Sequence, residues 1–296
     1  MDGHDKLKPF GICIYGAIDS WSHKVLKLHV VTNNNNPQRA GVQFLQTVEQ
    51  MGVCPQKVTT DKGSETGDIA TFQITFLHLI GRLEHLFTTS QHNQRIESLW
   101  GQLMKQKNIT ICDSIICAIF KELYDPGQPI HKVVFLHLLI CLVQHILDSF
   151  ILEHNFTRIA KSKYTLVPTG VAPEVCHYAP EKYKGTEGGI EVPKEVVQNM
   201  IAHYYPDEET LFQITPPIFA AKVSNIIAQL GVIESEISLS NVWSVLTQVV
   251  ERLESMHVDI DEFPVGVLNP DGEYEEYDRL NRFQVDGTGG GERVIN

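Results

Sequence analysis

The sequence predicts a mixed α/β fold that gives way to a helical region and ends in an acidic tail. Three observations carry that expectation. Through the first 110 residues, short β-rich runs alternate with segments of helical period. From residue 111 the apolar residues fall at helical spacing over long stretches. After Asp259 the chain is acidic, rich in Gly and Pro, and ends Gly-Thr-Gly-Gly-Gly-Glu before its last four residues, which predicts disorder.

In chain order, 11–18 and 24–31 read as two strands joined by the turn Asp19-Ser-Trp-Ser-His23. Asn33–Pro37 is a polar loop, and Pro37 is placed to begin a helix. Ala40, Phe44, Leu45 and Val48 mark that helix over 38–51, and Gly52 ends it. Residues 53–60 form the next strand, 68–80 a helix closing at Gly81, and 86–89 a short strand. Ser90–Asn93 supplies caps for a further helix on which Ile96, Leu99, Trp100 and Leu103 make one apolar stripe.

Beyond it, 111–123 is helical, Asp125-Pro-Gly-Gln-Pro129 is a break, and 130–154 is a long apolar helix. Its stripe is Phe135, Leu138, Leu139, Leu142, Ile146 and Phe150. Lys182–Gly189 reads as a polar linker, followed by helices over 193–203, 217–230 and 240–257.

Bulk properties narrow the function classes. At 296 residues, 43% of them hydrophobic, the chain can bury a sizeable core in one large or two modest domains. No apolar run is expected to reach the length of a membrane span, the most apolar segment being Val133–Leu142, and Met1-Asp-Gly-His-Asp lacks the basic, then apolar, start of a secretory signal. Six cysteines without a CxxC pair point to reduced core residues and an intracellular location. The net charge of −12 is unevenly divided: residues 1–110 hold 11 Lys and Arg against 9 Asp and Glu, and residues 111–296 hold 13 against 27. The first part is therefore +2 and the second −14. That is a weak electrostatic footprint for nucleic-acid binding.

Chemistry concentrates between Thr59 and Met104. Asp61 follows a β-rich run and opens a break at Lys62-Gly63, and Glu97 lies beside the apolar stripe of its helix. A strand-end Asp and a helix-borne Glu that converge supply hard oxygen ligands for a divalent cation. Spacing alone carries little in a chain of 36 acidic residues; local context carries more.

Thr60-Asp61-Lys62-Gly63-Ser64 resembles the T-D-x-G-S signature around the second catalytic Asp of retroviral-integrase and transposase cores. Asn93-Gln-Arg-Ile-Glu97 resembles the segment carrying their catalytic Glu, and the 35 intervening residues match the family's D,D-35-E spacing. Asp2-Gly-His-Asp-Lys-Leu7 resembles the D-G-x-x-K-L opening of a transposon-derived branch, and 154–173 resembles its closing segment.

The resemblance covers about residues 2–178. It implies a ribonuclease-H-like core over 1–178, followed by a helical region of unknown role over 179–258 and the tail 259–296. It further implies a catalytic, metal-binding triad of Asp2, Asp61 and Glu97, two Mg²⁺ or Mn²⁺ ions, and DNA as partner. Asn93, Arg95, Lys105 and Lys62 become the DNA-contacting candidates, and a homo-oligomer, a nuclear location and no membrane partner are expected.

The chain departs from the pattern in places. Asp2 stands next to Met1, so its strand is expected to be short. Gly101 and Met104 occupy positions where related cores carry Lys, and no Cys/His cluster has zinc-ligand spacing. Asp19 competes for the first carboxylate, although Asp-x-x-Ser at a turn favours a cap over a ligand. Two functions follow: a DNA strand-cleaving and strand-transferring enzyme, or a domesticated, inactive scaffold that binds nucleic acid or protein.

Overall fold

The structure, a computed structural model, describes residues 1–34, 36–60, 66–78, 86–87 (backbone only), 94–165 and 167–257. Strand β1 (Asp2–His4) pairs antiparallel with β2 (Cys13–Ile18), which pairs antiparallel with β3 (Val25–Val31), giving the order β1-β2-β3. Asp2 lies opposite Gly16, so the short first strand is in register from its first residue. Alternation along β2 sends Ile14 into one apolar layer and Tyr15 into the other, as a two-faced strand requires.

Helix α1 (Pro37–Met51) starts as its sequence dictates. The Asn36 side chain accepts from the amides of Gln38 and Arg39, Pro37 occupies the first turn, and Gly52 closes the helix at φ 71°. The single strand expected over 53–60 is two, β4 (Val53–Pro55) and β5 (Thr59–Thr60). Pro55 has no amide hydrogen to continue a ladder. Helix α2 (Gly67–His78) links β5 to β6 (Leu86–Phe87), and these two strands pair in parallel. The Met1 ammonium donates to the Thr59 carbonyl at 2.8 Å, which sets the start of β1 beside β5.

Helix α3 (Gln94–Leu103) buries Ile96, Leu99, Trp100 and Leu103, the expected stripe. It runs through a π-helical turn (Met104–Asn108) into α4 (Ile109–Phe120). Helix α5 (Pro129–Phe156) is 28 residues long with a window of mean hydropathy 1.9, long and apolar enough to cross a membrane by composition. It packs instead against β3, as the central rod of the core. At its end the buried Asn155 accepts from the Val25 amide at 2.8 Å and donates to the Val25 carbonyl at 2.9 Å, stitching α5 to the edge strand β3.

The remaining helices are α6 (Pro173–Tyr178), α7 (Lys194–Tyr204), α8 (Glu208–Leu211), α9 (Pro217–Gln229) and α10 (Val242–Ser255). The segment read as a polar linker contributes β7 (Gly189–Glu191), which pairs antiparallel with β4. Phe219, Val223 and Ile227 of α9 and Val242, Leu246 and Val249 of α10 join the same buried cluster as Val133, Leu139 and Val143 of α5. Val197 and Ile201 of α7 join the opposite layer with Phe44, Leu45 and Phe72. The helices after residue 179 thus complete both apolar layers. The tail from residue 259 lies outside the described residues.

Candidate active site

Asp2 sits on β1, half-buried, and one carboxylate oxygen accepts the indole N–H of Trp100 at 3.0 Å. Trp100 is three residues past Glu97 on α3, so the two lie on adjoining turns of one helical side. Asp2 is therefore joined to the helix that bears Glu97. Glu97 itself is exposed and forms no ion pair with a described residue.

Trp100 is wedged into this junction. The residue is 4% exposed, and its ring lies over Gly16, where an added Cβ would come within 2.6 Å of the indole. Any side chain at 16 would overlap Trp100 and the Leu28 side chain, so one of the two would have to shift. His4 also stacks on Trp100, with centroids 4.9 Å apart and planes at 20°. His4 is the next same-face residue after Asp2, since alternate strand residues share a face. Burial holds its imidazole neutral, with the pKa pushed down to about 4, and Nε2 accepts from the Asn108 side-chain amide at 2.9 Å. Asn108 is the last residue of the π-helical turn, a rare geometry that recurs at functional sites.

Asp61 and Lys62 lie outside the described residues, as does Asn93. The chain leads into position 61 from Thr60, at the end of β5 and beside the start of β1. Arg95 is half-buried in the first turn of α3, and Lys105 is exposed in the π-helical turn. Lys107 is engaged with Glu153 at 2.9 Å. Among the described residues no three His, Cys, Asp or Glu side chains gather as a metal site.

Asp19 behaves as its turn chemistry requires. Its carboxylate accepts the amides of Trp21 and Ser22 at 3.3 and 3.1 Å and the Ser22 hydroxyl, and it faces His177 Nδ1 at 3.4 Å. Burial alone would raise its pKa, but the hydrogen bonds from His177, Ser22 and Trp21 overcome burial and hold it at about 2. A cavity of about 370 Å³ opens beside this pair, between α1 and the β4–β5 connection.

A carboxyl depressed in the folded state adds stability that is present above its unfolded pKa of about 3.9 and is lost as pH falls through the folded value. The thermal midpoints of wild type and Asp19→Asn should therefore stay a constant distance apart from pH 7 to about 4.5 and converge between about 4 and 2. Divalent-metal binding, followed by titration calorimetry, should survive the same substitution.

Sequence reasoning placed Trp100 in the core stripe and missed its polar edge. The available signal was a Trp, whose N–H needs a partner when buried, one turn from the candidate Glu.

Residues 1–170 match a family model described as an integrase core domain, which is more than half of the chain. No curated protein and no solved structure gives a significant match.

Proposed function

The chain belongs to the integrase core domain family, and from that premise we propose that it cleaves and joins DNA strands at a divalent-metal site built from Asp2, Asp61 and Glu97. The observation that carries this reading is the Asp2–Trp100 hydrogen bond, which ties the first carboxylate to the helix bearing the third. The element order also supports a ribonuclease-H-like core. An antiparallel β1-β2-β3 sheet has the parallel pair β5-β6 set beside β1 by the Met1–Thr59 hydrogen bond.

The donor chemistry suits Mg²⁺ or Mn²⁺. All three candidates offer hard carboxylate oxygens, and the Asp2 carboxylate accepts a neutral N–H from Trp100. A pair of such ions, when bound, stabilises charge on the attacking and leaving oxygens of a phosphodiester. The protein's own residues would do the rest. Asp2, Asp61 and Glu97 hold the site in register, while Arg95, Lys105, Lys62 and Asn93 contact flanking phosphates and fix the strand. Strand joining would take at least a second copy of the chain, and a nuclear location is the expectation that goes with a DNA substrate.

Nicking of supercoiled plasmid tests this directly. The full chain should convert plasmid to the open-circular form with Mg²⁺ or Mn²⁺, and EDTA should abolish the conversion. The −14 charge of residues 111–296 counts against efficient DNA processing and so favours a second reading, a domesticated scaffold that binds nucleic acid or protein without cleaving. Plasmid that stays supercoiled with both metals, from a chain that also binds neither ion, would decide for that reading over the first.

A further inference from the structure

We infer that Trp100 is the positioning residue for Asp2: its indole N–H fixes the carboxylate in the orientation that takes a divalent cation. The inference rests on the metal-dependent reading above and deepens it, by naming the residue that positions the first carboxylate.

Four contacts carry it. The indole N–H reaches Asp2 Oδ2 at 3.0 Å, across a sequence separation of 98 residues. The indole is closely confined, with Gly16 under one part of the ring and His4 stacked at 4.9 Å. His4 is in turn held by Asn108 at 2.9 Å in a fully enclosed contact. Asn108 reaches it from the π-helical turn, where the widened backbone shifts the helical phase between α3 and α4.

A buried Trp at a helix–strand junction is by default a packing residue. Packing does not require a charged acceptor on Nε1, nor a chain of polar and stacking contacts reaching through His4 to Asn108. Such an arrangement matches the partners that orient metal-ligating side chains, whose loss typically costs 10- to 100-fold in metal affinity. A neutral donor suits the task, since a Lys or Arg there would compete with the cation for the carboxylate.

The test separates the N–H from the ring. Trp100→3-benzothienylalanine keeps the volume and the stacking face and lacks only the donor. Mg²⁺ and Mn²⁺ binding to the full chain would be followed by titration calorimetry, with thermal midpoints of the metal-free proteins alongside. The expected result is affinity about 10- to 100-fold weaker at an unchanged midpoint.

A readout on wild type needs no folded variant at position 100. The Trp100 indole N–H resonance, distinguished using Trp21→Phe and Trp243→Phe, should shift when Mg²⁺ is added. An isostere that binds Mg²⁺ like wild type, or an indole resonance that stays put while Mg²⁺ binds, overturns the role of Trp100 and leaves the metal-dependent reading standing. A wild-type chain that binds neither ion overturns both.

Discussion

Glu97→Gln should reduce metal-dependent plasmid nicking by about 10³-fold or more, while DNA binding at equal salt stays the same or tightens slightly. The size follows from the role. A carboxylate that holds a catalytic cation contributes several kcal/mol of charge stabilisation at the reacting phosphate, and each 1.4 kcal/mol is tenfold in rate. The amide keeps the shape and loses the charge. Little structural cost accompanies the change, because Glu97 is exposed and forms no ion pair with a described residue. Gel-resolved nicking and a filter-binding isotherm on the same preparations separate the two effects. Equal nicking by variant and wild type would remove Glu97 from the site.

The second large effect is on stability and falls far from the site in sequence. Phe219 on α9 is fully buried in the cluster that contains α5. Phe219→Ala should lower unfolding free energy by about 3–5 kcal/mol, the usual cost of emptying a Phe-sized volume in a packed core. Against a total of about 5–15 kcal/mol that is a large share. Denaturant titration monitored by far-ultraviolet circular dichroism should show one transition at a lower midpoint. Two separated transitions, with only the second displaced, would mean that the helices after residue 179 unfold apart from the α/β part.

The elements that were legible from sequence are those whose signals are local. Helix α1 announces itself by Asn36, Pro37, four apolar residues at helical spacing and Gly52, and each does in the structure what its chemistry implies. The stripe of α3 and the turn role of Asp19 were legible for the same reason. What escaped depends on partners remote in sequence. Strand β7 is polar and short, and it is a strand because β4 offers a free edge some 135 residues earlier. The break between β4 and β5 follows Pro55, which the β-rich run on either side masked.

The candidate site divides along the same line. Asp61 and Glu97 stood out through motifs of five residues each. Asp2 was marked by resemblance, and its neighbour on Met1 suggested a loose end. The structure instead gives it strand pairing with Gly16 and a hydrogen bond from Trp100. No pattern within the first seven residues could have revealed that, because the group that orders Asp2 is 98 residues away.

The most direct measurement is an anomalous-scattering map from crystals of the full chain soaked in Mn²⁺. The account predicts manganese peaks about 2–2.3 Å from carboxylate oxygens of Asp2, Asp61 and Glu97, with the Trp100 indole still on Asp2. Manganese bound elsewhere, or those three carboxyls too far apart to share ions, would contradict it.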